Sequence, residues 1–184
     1  MTYRINIAGM ERDLPLCPVS DDLYIGAFVI FGDVALTKHC AAELLKRAPD
    51  YDYLIAPEAK SIPLLYEMAR QSNADEYFLA RKGSKLYMSG VFEVEVRSIT
   101  TDNVQKLVLD TADAEKIRGK RCLILDDVIS TGESLHAMEI LVERAGGIVA
   151  GRMAILAEGA AADRDDIIYL AKLPLFHADG SIVE

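Results

Sequence analysis

Short apolar segments alternate with amphipathic segments along most of the chain. Tyr53–Ala56, Cys122–Leu125 and Ile148–Ala157 are short and strongly apolar, which is typical of buried strands. Apolar residues recur every three or four positions over 34–47 and 133–145, which predicts helices with one buried face. The same reasoning predicts a helix at 61–71 and extended segments at Tyr77–Ala80, Val91–Val96, Leu107–Leu109 and Ile167–Leu170. Strands that alternate with helices favour an α/β fold, with a mainly parallel sheet flanked by helices.

The first 33 residues or so have a different pattern. Arg4–Ala8, Leu14–Val19 and Tyr24–Ile30 are short β-prone segments separated by glycine, proline and aspartate. We interpret about 1–33 as a small β-rich hood on a core formed by 34–184. Because 184 residues suffice for one domain with a sizeable core, we expect a single domain over 1–184.

Composition narrows the classes of function. There are 29 Asp and Glu residues against 20 Lys and Arg, a net charge of −9, which disfavours nucleic acid and anionic membrane as partners. No apolar run approaches the ~18 residues that span a bilayer, and no secretory signal is visible, so we expect a cytoplasmic protein. Cys17, Cys40 and Cys122 lack metal-ligand spacing and are interpreted as reduced thiols.

The residues after the apolar strand at Cys122–Leu125 carry the most informative chemistry. The adjacent carboxylates Asp126 and Asp127 suit the hydroxyls of a sugar, or a divalent metal. They are followed by a loop of Ser130, Thr131, Gly132, Glu133 and Ser134 that leads into a helix. Because N–H groups point outward at a helix N-terminus, this loop suits a phosphate. A capped helix start is the alternative for so short a loop, but the whole pattern is more specific, and it matches neither a Walker loop nor a dinucleotide fingerprint.

A second strand end is strongly basic. Arg81, Lys82 and Lys85 lie within five residues after the strand at Tyr77–Ala80, in a chain that is otherwise acidic. Such a cluster favours an anion site, and a solvated loop is the alternative.

The segment Leu123–Ser134 resembles the phosphoribosyl-pyrophosphate (PRPP) motif of type I phosphoribosyltransferases. The resemblance implies that Asp126 and Asp127 bind the ribose hydroxyls and that Ser130 to Ser134 bind the 5′-phosphate. Glu58-Ala59-Lys60-Ser61 resembles the E-A-R-G loop of adenine phosphoribosyltransferases, which contacts pyrophosphate; here Lys replaces Arg and Ser replaces Gly. Ala80–Lys85 resembles the A/V-R-K-x-x-K segment of the same purine enzymes, which supplies cations to pyrophosphate.

What the resemblance implies is transfer of the phosphoribosyl group from PRPP to a purine base, with release of pyrophosphate. Mg²⁺ bound with PRPP, with Asp126 and Asp127 as its candidate protein ligands, would stabilise the leaving group together with Lys60, Ser61, Arg81, Lys82 and Lys85. The catalytic residues implied are Arg81, Lys85 and Asp127, the last as acceptor of the base proton. A loop over residues 86–105 is the expected lid, and a homodimer is implied.

The base is left open between adenine and a xanthine or guanine type. Val96–Thr101 looks closer to the S-F-T-K segment of xanthine enzymes than to the S-x-E-Y of adenine enzymes. We expect the base under the hood. Tyr24, Phe28 and Phe31 are the stacking candidates, and for each of them a place in the core is the favoured alternative. Glu158, at the end of the strand Ile148–Ala157, is the candidate acceptor for a base N–H.

The alternative function is a PRPP-binding regulator, or a phosphoribosyltransferase homologue without activity. The first alternative is disfavoured because the chain has no room for a DNA-binding domain before residue 30 and is acidic. The second rests on Lys60 and Ser61, which replace the Arg and Gly of the E-A-R-G loop in adenine phosphoribosyltransferases.

Overall fold

The computed structural model describes residues 1–97 and 104–183. In chain order the elements are β1 (Thr2–Ile7), β2 (Met10–Pro18), β3 (Tyr24–Gly26), α1 (Val34–Leu45), β4 (Tyr53–Pro57), α2 (Ile62–Gln71), β5 (Phe78–Ala80), β6 (Val91–Arg97), β7 (Val104–Asp110), α3 (Thr111–Ile117), β8 (Arg121–Ile129), α4 (Glu133–Arg144), β9 (Ile148–Glu158), a 3₁₀ helix (Gly159–Asp163), β10 (Ile168–Leu173) and β11 (Leu175–Phe176).

A five-stranded parallel sheet in the order β10-β9-β8-β4-β5 forms the centre of the protein. Side chains alternate across it, so that Leu54 and Leu123 pack with α1 and α2 on one face. Ile55 and Ile124 pack with α3 and α4 on the other face. The predicted α/β class and the mainly parallel sheet are therefore confirmed.

The hood is a four-stranded antiparallel sheet in the order β1-β2-β3-β11. The predicted β-rich N-terminal segment is confirmed, while the boundary at about residue 33 stays a prediction. The sheet also takes in β11, and the rings of Tyr3 and Phe176 pack with centroids 4.9 Å apart. Arg12 of β2 donates to Asp33 at 2.6 and 3.1 Å, and Asp33 also accepts from Leu36 N–H at the start of α1, so one carboxylate joins hood and core.

Strands β6 and β7 form a separate antiparallel hairpin. The hairpin is joined to the end of β5 because Arg81 and Val108 exchange two backbone hydrogen bonds of 2.8 Å. Within the expected lid at 86–105, the described part of the hairpin is β6, Val91–Arg97, and the start of β7 at Val104. Residues 98–103, and with them most of the Val96–Thr101 segment, lie outside the described residues. Helix α3 was not predicted, since its seven residues bury only Ala114 and Ile117.

Two findings bear on the expectations from composition. Over residues 1–97 and 104–183, no helix combines the length and the apolar character needed to cross a membrane. Cys17, Cys40 and Cys122 are free thiols, and burial raises the pKa of Cys40 to about 12 and that of Cys122 to about 11.

Candidate active site

A cavity of about 320 Å³ opens at the carboxyl ends of β4, β5 and β8. This is the edge at which parallel α/β sheets bind ligands. Its lining consists of Pro57, Glu58, Ala59, Lys60, Ser61, Lys82, Leu107, Asp126, Asp127, Val128 and Ser134. Residues from all three motifs thus share one cavity, and Leu107 adds a wall from the hairpin.

Asp126 and Asp127 lie within β8, which runs to Ile129 and is longer than the sequence pattern indicated. Asp127 is buried, with 3% of its surface exposed, and its N–H donates to Asp126 Oδ1 at 2.9 Å. Burial, together with the charge of Asp127, raises the pKa of Asp126 to about 7. The cost of placing two carboxylates side by side is thus lowered by a proton near neutral pH.

Two side chains from the loop after β4 contact this carboxylate pair. The Ser61 hydroxyl donates to Asp126 Oδ1 at 2.8 Å, and Lys60 Nζ lies 2.8 Å from Asp127 Oδ2 as an ion pair. That ion pair lacks hydrogen-bond geometry, so the buried Oδ2 accepts no hydrogen bond from the described part of the chain. Ser61 has φ −72°, an ordinary right-handed conformation. Serine therefore fits without strain at the position where the E-A-R-G loop has glycine.

Glu58 joins the loops after β4 and β5. Its Oε1 accepts from the Lys82 N–H at 2.7 Å, and its Oε2 accepts from Arg81 Nη1 at 3.3 Å. Burial raises the pKa of Glu58, but these hydrogen bonds and the charges of Lys85 and Arg81 outweigh it, so the pKa is lowered overall. The sequence alone assigns no role to Glu58, because Arg81 and Lys82 lie 23 and 24 positions away in the chain and no local pattern reports the contact. The peptide bond between Glu58 and Ala59 is cis.

The three cations of the second loop differ in position. Lys82 lines the cavity, whereas Arg81 and Lys85 do not. The Arg81 guanidinium lies 5.9 Å from the centroid of the Tyr87 ring and pairs with Glu58, which holds it at the rim. Lys85 is exposed, and its charge acts on Glu58.

The loop between β8 and α4 borders a second, smaller cavity of about 40 Å³. Its lining includes Ser130, Thr131 and Gly132, together with Asp126, Val128 and Ser134, which it shares with the larger cavity. Gly132 has φ +80°, a left-handed conformation that glycine adopts without strain, and α4 begins at Glu133. The two cavities adjoin, so a single elongated ligand can contact both.

The residues expected to bind the base lie outside the larger cavity. Phe28 is 5% exposed and packs in the core, whereas Phe31 is 51% exposed at the end of the hood. Tyr24 is half-buried in β3. Glu158 is half-buried at the end of β9. Burial raises its pKa overall, although the charge of Lys60 acts in the opposite direction. The exposure of Phe31 leaves its ring available for stacking, which the burial of Phe28 does not.

The donor set bears on the expected Mg²⁺. Over residues 1–97 and 104–183, no three or more His, Cys, Asp or Glu side chains are arranged to hold a metal ion. Mg²⁺ is commonly bound by one or two carboxylates plus substrate phosphates, so a complete protein cage is not required. The two adjacent carboxylates, one with a buried oxygen that lacks a hydrogen bond, fit that kind of partial site.

The family model described as "Phosphoribosyl transferase domain" matches residues 34–175. The chain belongs to this family. This confirms the resemblance drawn from the three motifs, and it makes the protein a pentosyl-transferring enzyme. The match covers β4 through β10 and hence every loop of the cavity.

Two relatives of similar length are adenine phosphoribosyltransferases. That of Kosmotoga olearia is 25% identical over 154 residues, which cover 83% of this chain and 87% of the relative. That of Petrotoga mobilis is 32% identical over 148 residues, covering 76% of this chain and 79% of the relative.

Solved structures agree on the fold. The adenine phosphoribosyltransferase of Thermoanaerobacter pseudethanolicus superposes with a TM-score of 0.66 at 24% identity, covering 86% of this chain and 95% of that one. The enzyme of Giardia lamblia, solved with 9-deazaadenine, gives a TM-score of 0.61 at 17% identity, over 94% of this chain and 93% of that one. The chain therefore shares the fold of these two enzymes.

Proposed function

We propose that the protein transfers the 5-phosphoribosyl group of PRPP to a purine base, releasing pyrophosphate and forming a nucleoside monophosphate for purine salvage. The observation that carries the proposal is the place of Asp126, which lines both the cavity beside the phosphate loop and the cavity beside the cationic loops. A sugar with a phosphate at one end and a pyrophosphate at the other matches that order of groups.

Each part of PRPP then has a chemically suited neighbour. Asp126 and Asp127 accept hydrogen bonds from the ribose hydroxyls, and Ser130, Thr131, Gly132, Glu133 and Ser134 surround the 5′-phosphate. Lys60, Ser61 and Lys82 face the pyrophosphate, with Arg81 and Lys85 joining from the rim. Cations positioned on a departing pyrophosphate stabilise the charge that develops in the transition state.

Mg²⁺ is proposed to enter with PRPP and to supply further positive charge to the pyrophosphate. Asp126 and Asp127 are the residues that would hold it. Asp127 is also our candidate acceptor for the proton that the base loses, because its Oδ2 is buried and accepts no hydrogen bond within the described residues.

For the base, Phe31 and Glu158 are the favoured contacts, with Phe28 as a buried support. Adenine is the first candidate, since both sequence relatives above are adenine phosphoribosyltransferases. A xanthine or guanine type of base is the second, because Val96–Thr101 lacks the glutamate of the adenine segment. A cytoplasmic homodimer is part of the proposal. A non-catalytic role is less favoured, because Ser61 has an unstrained backbone and Lys60 pairs with Asp127.

A panel of bases tests the proposal. Purified protein with Mg²⁺ and PRPP is incubated with adenine, guanine, hypoxanthine or xanthine, and pyrophosphate release is measured. At least one base should give turnover that stops when EDTA is added. Absence of turnover with all four would refute the purine assignment, and binding of PRPP without turnover would favour the non-catalytic alternative.

The site assignment has its own test. Asp126→Asn combined with Asp127→Asn should abolish PRPP binding measured by calorimetry. Asp21→Asn with Asp22→Asn is the matched control, since this adjacent pair is exposed in the turn between β2 and β3. Unchanged PRPP affinity in the first double variant would place the ribose elsewhere.

A further inference from the structure

Arg164 packs directly on the turn of the proposed phosphate loop. A Cβ atom at Gly132 would lie 2.9 Å from Arg164 Nη1, so the guanidinium occupies the space where a side chain at that position would begin. The left-handed φ of Gly132 already disfavours other residues. The left-handed φ is thus the feature that favours glycine here, and a larger residue would also have to displace the end of the Arg164 side chain.

Two hydrogen bonds to Asp166 orient the guanidinium of Arg164 in this position. It donates to Asp166 through Nε at 2.8 Å and through Nη2 at 2.7 Å, the bidentate geometry that fixes an arginine plane. Asp166 also lies 3.7 Å from Arg152 Nε, and Arg152 pairs in turn with Glu139 of α4. These ion pairs connect Glu139 of α4, through Arg152 of β9 and Asp166, to Arg164 beside the loop at which α4 begins.

A cation beside a helix N-terminus is unfavourable by itself, because that end of the helix carries partial positive charge. The arrangement becomes favourable when a dianionic phosphate binds there. We propose that Arg164 is a positioning residue for 5′-phosphate binding: it supports the Gly132 turn and adds positive charge beside the phosphate. This inference rests on the proposed function.

Ligand binding tests this role. Arg164→Gln is expected to weaken binding of ribose 5-phosphate, and to raise the KM for PRPP, by about fivefold to tenfold. The KM for the base and the affinity for pyrophosphate should stay unchanged. Arg164→Lys, which keeps the charge but loses the bidentate fork, should recover part of the loss. Arg4→Gln is the control, since Arg4 makes a bidentate pair with Asp13 on the exposed hood.

The outcomes separate this inference from the proposed function. If the unaltered protein binds neither PRPP nor ribose 5-phosphate, both fail. If it binds ribose 5-phosphate and Arg164→Gln binds equally well, only the inference fails. A loss that affects pyrophosphate as much as ribose 5-phosphate would indicate a general structural role and would also overturn it.

Thermal unfolding tests the packing without any ligand. Gly132→Ala should lower the Tm in the otherwise unaltered protein because of both the strained φ and the contact with Arg164. In an Arg164→Ala background only the strain remains, so the same substitution should lower the Tm by less. An equal decrease in both backgrounds would show that Arg164 does not pack on Gly132.

Discussion

The hydroxyl of Ser61 donates a 2.8 Å hydrogen bond to Asp126, a residue 65 positions later in the chain. Ser61 precedes α2 as its N-cap, where a serine side chain commonly accepts a hydrogen bond from its own helix. Here no such capping bond is made, and the hydroxyl contacts the carboxylate instead. With the Lys60–Asp127 ion pair, this links the loop proposed to bind pyrophosphate to the carboxylates proposed to bind ribose.

Ser61→Ala is expected to raise the KM for PRPP by about tenfold. The variant removes a hydrogen bond to a carboxylate, and such bonds contribute roughly 1.5–3 kcal/mol. Asp126 Oδ1 would then keep only the hydrogen bond from the Asp127 N–H among those described here, and would be oriented less well. The measurement is the initial rate of pyrophosphate release across a range of PRPP concentrations.

Ser72→Ala is the matched control for that variant. Ser72 lies at the other end of α2, and its hydroxyl donates to the Ala69 carbonyl, away from the cavity. Its KM should equal that of the unaltered protein. Equal values for Ser61→Ala would contradict a role for the hydroxyl in positioning Asp126.

Lys60→Met is expected to lower kcat/KM by about 100-fold, in line with the loss of one group that stabilises transition-state charge. Its removal also leaves the carboxylate of Asp127 without its ion-pair partner. Lys60→Arg should keep most of the activity, because the charge remains. Lys46→Met, which breaks an exposed pair with Glu43, should have no effect; a similar loss there would point to net charge as the cause.

Glu58→Ala should weaken pyrophosphate binding, measured by calorimetry, by roughly tenfold. The variant removes the acceptor of the Lys82 N–H and the partner of Arg81, so the loop after β5 loses its side-chain bonds to the loop after β4 and keeps the backbone bond from Glu58 N–H to the Ala80 carbonyl. Glu58→Gln keeps an acceptor for the Lys82 N–H and should be affected less. Stronger pyrophosphate binding in Glu58→Ala would show instead that Glu58 competes with the ligand for Arg81.

The Arg12–Asp33 pair should make stability depend on acid pH. The hydrogen bonds from Arg12 lower the pKa of Asp33 below its unfolded value, although burial acts in the opposite direction. The stabilisation is therefore complete above pH ~4, the unfolded pKa, and is lost as the pH falls through the lower folded pKa. Urea unfolding from pH 7 to pH 2.5 should show that the difference in free energy of unfolding between the protein and Asp33→Asn shrinks with acidity. A constant difference would exclude the pair as its source.

Local patterns predicted the central sheet well because its strands contain short and mainly apolar runs. Cys122–Leu125 and Ile148–Ala157 were recognised in this way, and both are strands of the parallel sheet. The end of β8 was placed too early, since Asp126 and Asp127 are polar and carry no strand signal. Their place in the strand follows from pairing with β9, which only the folded chain provides.

The sequence predicted which residues form the candidate site, but it did not predict the contacts between them. The motifs indicated which loops carry anion-binding residues, and parallel topology implied that those loops meet. The bond from Ser61 to Asp126 and the packing of Arg164 on Gly132 join residues far apart in sequence, so no local pattern reports them. Nor does the two-residue strand β11 carry a periodicity that could assign it to the hood.

The hood sheet is completed by a strand that follows β3 by about 150 residues, with Leu175 opposite Ile25. Pairing over such a separation is slow to form, because most of the chain must be ordered before the two segments meet. During synthesis, β1 to β3 would leave the ribosome before β11, and the edge of β3 would stay unpaired until β11 had been made. The hood would therefore close only after the polypeptide had been made as far as Phe176, about 40 residues beyond Ser134, the last residue that lines the larger cavity.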